Sequence, residues 1–207
     1  MTKDSSTISS TAIIKGNVFF GRNCVVEDFC VVGKIHRGDI GHRTPETRIG
    51  DRTILQTGTI VYAGANIAND VICTDYCVIY PNVVICEKTK IHYRAAIHKR
   101  VSIGSNCRIG GFLCNDTVIG ESTSFYGKTV HAYDKHGGDV KNKAPRIGSN
   151  VIIAFGATII GEITIGDNSY IGANSVVTKN VPNNSYVIGV NNITHINSRQ
   201  GYIGEKH

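Results

Sequence analysis

From Ile49 onward a large, mostly apolar residue returns every six positions without a slip: Ile49, Leu55, Val61, Ile67, Cys73, Ile79, Ile85, Ile91, Ile97, Ile103 and Ile109. Four residues after each stands a second inward candidate, nearly always small or β-branched: Thr53, Thr59, Ala65, Val71, Cys77, Val83, Thr89, Ala95, Val101, Cys107 and Leu113. A helix stripe would recur at three and four residues. A strict period of six therefore predicts two-residue strands joined by bends and wound into a parallel β coil. The frame extends back through Ile8, Ile14, Phe20, Val26 and Val32, and forward through Ile119, Phe125, Ile147, Ile153, Ile159, Ile165, Ile171 and Val177. With three units to a triangular coil, the pattern predicts eight coils and a prism about 38 Å long.

Glycine often follows the large residue, as at Gly21, Gly50, Gly104, Gly120, Gly148 and Gly166. Such a corner needs either a positive φ or a close backbone approach. No Pro-rich or Ser-rich linker interrupts the repeat, so a single β-helix domain is expected over 1–182, followed by a tail over 183–207. Two interruptions are long enough to protrude as loops, near 33–48 and 131–146. A third, of four extra residues, is read between Ile109 and Ile119.

Charge and cysteine usage narrow the classes. A formal net charge of +6 suits an anionic small molecule. No basic run or aromatic platform points to nucleic acid. There is no apolar run long enough for a membrane span and no leader pattern at the N-terminus. The seven cysteines lack metal-type pairs. Cys24, Cys30, Cys77 and Cys107 fall on the small inward position and read as packing residues, and a reducing cytoplasm is the expected compartment.

Candidate chemistry gathers where the frame breaks. His131 stands where the strand over 125–130 meets the second loop, a position that holds its backbone while freeing the ring, and imidazole suits proton transfer near neutrality. His136, in the same loop, is read as orienting His131 or meeting an acceptor. His92 and His98, six residues apart, should lie on adjacent faces and not converge. His36 falls at a nominally inward position just before the first loop.

The whole pattern resembles the hexapeptide-repeat acyltransferases, most specifically in PRIGSNVIIAFGATIIGEITIGDNSYIGANSVVTKNVP over 145–182. The resemblance implies a left-handed parallel β-helix, homotrimers, and acetyl-CoA as acyl donor with no metal. It also implies a sugar or nucleotide-linked sugar as acceptor, with His131 as general base and Pro145 closing its loop, as in the galactoside and maltose acetyltransferase branch. By the same resemblance Ala154, Gly172 and Ala173 would line the pantetheine arm, and Thr178 and Lys179 the nucleotide end. Two positions depart from relatives: Cys77 stands where the nucleotide-sugar N-acetyltransferases carry an asparagine, and Asn191 where the family commonly has proline. A γ-type carbonic anhydrase would need three zinc-binding histidines, which the spacing of His92 and His98 does not supply. A non-catalytic β-helical scaffold is the remaining alternative.

Overall fold

The computed structural model describes residues 5–41, 44–132 and 144–195, with the side chains of residues 39 and 194 left aside. The chain winds into a three-sided left-handed β-helix of about 9 turns. Its faces are sheets of eleven, nine and eight strands, beginning at Thr7–Ile8, Ile13–Ile14 and Val18–Phe20 respectively. All pairings are parallel except the last, where Ser185–Ile188 turns back on Asn192–His195 and closes the first sheet. The two long excursions leave from the second sheet, after Val31–Lys34 and Lys128–Val130, and return to the third at Thr47–Ile49 and Arg146–Ile147. Residues 42–43 and 133–143, and with them His42 and His136, lie outside the described residues.

Inward positions explain the repeat. Ile49, Leu55, Val61, Ile67 and their successors are buried, and so are the smaller residues four places on. That smaller position has a polar duty as well. Thr53, Thr89 and Thr123 donate their hydroxyls to the carbonyls of Ala68, Gly104 and Gly148 one coil further, at 2.8, 2.9 and 2.8 Å. In the same column Cys24 and Cys107 aim their thiols at Gly50 and Gly120 carbonyls, both at 3.1 Å. The cysteines thus pack and also fill a hydrogen-bonding slot shared with threonine.

The corners divide their needs between two residues. At Gly104 the need is close approach, since a Cβ there would lie 2.6 Å from the Glu121 nitrogen. The left-handed backbone falls two residues later, on Asn23, Arg52, Asp70, Arg100, Asn106 and Asn168 among others. Asparagine and aspartate tolerate that conformation. Three of the arginines on these corners pair with the aspartate one coil on, including Arg52 with Asp70 and Arg100 with Asp116, both at 2.6 Å.

The sequence frame needs one correction. Leu113, expected at the small position, is the large inward residue of its own strand: Phe112–Leu113 pairs with Ala96–Ile97. Similarly Thr129 takes the large position opposite Ile159. No excursion separates Ile109 from Ile119; two successive corners between the first and second sheets are instead two residues short. Glycine makes this possible, because Gly111 has a φ of +89° and a Cβ there would overlap the Gly127 carbonyl. The expected count of eight coils rises accordingly to about 9 turns.

Candidate active site

His131 follows directly on Lys128–Val130 at the edge between the second and third sheets. Its Nε2 lies 2.9 Å from the Asn115 carbonyl oxygen. A carbonyl only accepts, so the proton belongs on Nε2 and the Nδ1 lone pair is left available. Asn115 is itself held, its side-chain oxygen accepting from the Lys99 backbone N–H at 3.1 Å. The next residue, Asp116, takes the left-handed conformation and anchors Arg100. A polar cleft of about 410 Å³ lined by Arg100, Asp116, Ala144, Arg146 and Glu162 adjoins this corner.

Along the same edge runs a stack that the six-residue reading did not reveal. Tyr62, Tyr80 and His98 occupy one outward position in consecutive coils, with ring centroids 5.1 and 4.3 Å apart and planes within 14°. His36, not inward after all, caps a short 3-10 turn over Arg37–Asp39 and packs 5.7 Å from Tyr62, while Lys34 lies over that ring at 5.2 Å. At the other end Phe112 leans on His98, centroids 4.5 Å apart. Burial, and then the charge of His131, push the His98 imidazole below its usual range. The charge of His131 thus reaches His98, whereas His92 lies at the end of a first-sheet strand, packed at 5.5 Å against Tyr126.

The five positions expected to meet a cofactor fall on two edges. Ala154 and Gly172 are stacked neighbours at the first–second edge, the Ala154 N–H donating to Ile171 and the Gly172 N–H to Val187, with Ala173 beside them. Thr178 and Lys179 lie at the second–third edge, His131's own edge. Asn191 fixes Thr178 from both sides: its Oδ1 accepts from the Thr178 N–H at 2.8 Å and its Nδ2 donates to the hydroxyl at 2.9 Å. Among the described residues no group of three or more His, Cys, Asp or Glu is arranged to hold a metal ion, and no helix is long and apolar enough to cross a membrane.

Comparison with known proteins agrees with this architecture. Residues 144–179 match the family described as Bacterial transferase hexapeptide (six repeats), and the chain carries that repeat. Among curated proteins, the Bifunctional protein GlmU of Nostoc sp. is 29% identical over 162 residues, covering 70% of this chain and 36% of that protein. The Serine acetyltransferase of Staphylococcus xylosus is 41% identical over 109 residues, covering 49% of this chain and 45% of that protein. The chain thus spans between a third and a half of the length of these relatives. Among solved structures, the UDP-N-acetylglucosamine acyltransferase from Campylobacter jejuni superposes with a TM-score of 0.52 at 13% identity, covering 89% of this chain and 72% of that one, a likeness of fold.

Proposed function

We propose that the protein is an acetyl-CoA-dependent acetyltransferase acting on a hydroxyl or amino group of a sugar or nucleotide-linked sugar, with His131 as general base. The observation that carries this reading is the Asn115 carbonyl on His131 Nε2, which leaves Nδ1 as a proton acceptor at a fixed place just past the strand Lys128–Val130. Nδ1 takes the acceptor's proton as its oxygen or nitrogen attacks the thioester carbonyl. Collapse of the tetrahedral adduct expels the coenzyme A thiolate, and the imidazolium returns its proton to that sulfur. Matching of the 144–179 segment to a transferase repeat supports placing the donor along Ala154, Gly172 and Ala173, with Thr178 and Lys179 at its nucleotide end. A homotrimer is proposed with it, and light scattering should then give three times the chain mass of 22.4 kDa.

General-base help of this kind contributes roughly 10²–10⁴-fold. His131→Ala should lower turnover by about that factor while coenzyme A affinity stays within twofold of the parent. Retention of full turnover would remove His131 from the mechanism. A scaffold reading separates from this one by melting temperature, which coenzyme A raises only if the native chain binds it.

A further inference from the structure

The two shortened corners lie in a stretch with an uneven charge distribution. From Lys90 to Val130 the only carboxylates are Asp116 and Glu121, and both stand at the other two edges of the prism. On the outward side of the first sheet Lys90 and Arg108 are direct cross-strand neighbours. Neither forms an ion pair among the described residues. Like charges placed directly opposite destabilise a sheet. Nothing in the coil requires this arrangement, since Ile54 and Ile72 occupy the same outward column two and one coils earlier.

The recess beside this pair is cut by Gly110, Gly111 and Gly127, where neighbouring coils carry full corners bearing Tyr93 on one side and Phe155 on the other. His92 and Tyr126 meet over Gly110, which offers no side chain to part them: a Cβ there would lie 3.0 Å from the tyrosine ring and 3.6 Å from the histidine Cβ. The His92 Nε2 is buried without a hydrogen-bond partner. Across the recess, on the second sheet, Lys128 is exposed and likewise forms no ion pair among the described residues. His131 is three positions beyond Lys128, roughly 10 Å along an extended chain.

We propose that this recess is a binding site for a phosphate ester, held by Lys90, Arg108 and Lys128. Two exposed cations side by side without a carboxylate partner attract an anion that neutralises both, and a third beyond the glycine-cut corner adds to that attraction. The 10 Å to His131 matches a ligand whose phosphate and reacting group are separated by about a sugar ring and a diphosphate. Assignment of the ester to the acyl acceptor, as opposed to the donor, rests on the transferase reading above; the site itself does not.

Titration calorimetry at low ionic strength, with UDP, coenzyme A and inorganic pyrophosphate as probes, tests the site on the parent, on Lys90→Gln/Arg108→Gln and on Lys128→Gln. The expected result is UDP affinity at least tenfold weaker in the double variant, severalfold weaker in Lys128→Gln, and coenzyme A affinity unchanged. Weakening of coenzyme A alone would keep the site and give it to the donor. Loss of pyrophosphate binding in the double variant, with no measurable binding of UDP or coenzyme A to the parent, would keep the site while removing the transferase reading. Parent-like binding of every probe by the double variant, or no binding of any probe by the parent, overturns the proposal. Folding is not at risk in these variants, because all three side chains are exposed and removing the Lys90–Arg108 repulsion should hold or raise the melting temperature.

Discussion

At the scale of single residues the coil works by giving one position two tasks. Cys107 is buried like a hydrophobe and bonded like a threonine, and the two tasks can be separated. Cys107→Thr supplies a stronger donor to the Gly120 carbonyl and should leave stability unchanged or improved. Cys107→Val keeps the volume and strands the carbonyl, at a cost of about 1 kcal/mol, and chemical denaturation of the two variants side by side shows the difference. His98 and His92 offer a second test. Burial is the first cause of the downward shift in both; the charge of His131 adds to it at His98, and those of Lys90 and Arg108 at His92. Their folded-state values lie below the unfolded one, so below about pH 6.5 the unfolded chain takes protons first. Stability is therefore complete above that pH and falls on acidification through the window down to the depressed values. In His131→Gln the His98 ring should titrate closer to the ordinary value while still below it, as read from its Cε1 proton by NMR. No such rise would mean that the two rings do not sense each other.

Single-residue patterns carried the inward residues almost completely, because six-residue spacing is a direct image of burial. They did not carry the Tyr62, Tyr80 and His98 stack. Rings that touch across coils are eighteen residues apart in sequence, and the six-residue comparison that separated His92 from His98 passes over that interval. The break in the repeat after residue 130 singled out His131. The Asn115 carbonyl against its ring could not be read, since a backbone carbonyl has no signature in sequence.

Among elements, the corners decide where one coil differs from the next. Shortened corners escaped the sequence reading because Ile109 to Leu113 is also the normal interval from a large residue to its small partner. Two registers share that spacing, and only the pairing of Phe112 with Ala96 separates them. Gly111→Ala tests the corner directly. It forces a side chain into a left-handed residue, costing roughly 1–2 kcal/mol, and also drives it against the Gly127 carbonyl, so the loss in denaturation free energy should exceed that figure. A melting curve indistinguishable from the parent would place the corner elsewhere.

For the molecule as a whole, each strand pairs only with strands one coil away, the closing hairpin of Ser185–Ile188 with Asn192–His195 apart, and the two long excursions enter without disturbing that order. Ile119 pairs with Ile147 across 28 residues of chain, whereas an uninterrupted coil closes at eighteen, as from Ile67 to Ile85. Loop-closure entropy grows only as the logarithm of length, so the added segment costs about 0.4 kcal/mol. Replacing residues 133–143 by a short glycine linker should therefore change the melting temperature little while lowering turnover as His131→Ala does. The prism thus tolerates inserted chain at its edges almost regardless of length. Two such folds can differ in the molecules they handle while sharing every coil, because the stacking that stabilises the prism is indifferent to what is hung between the turns.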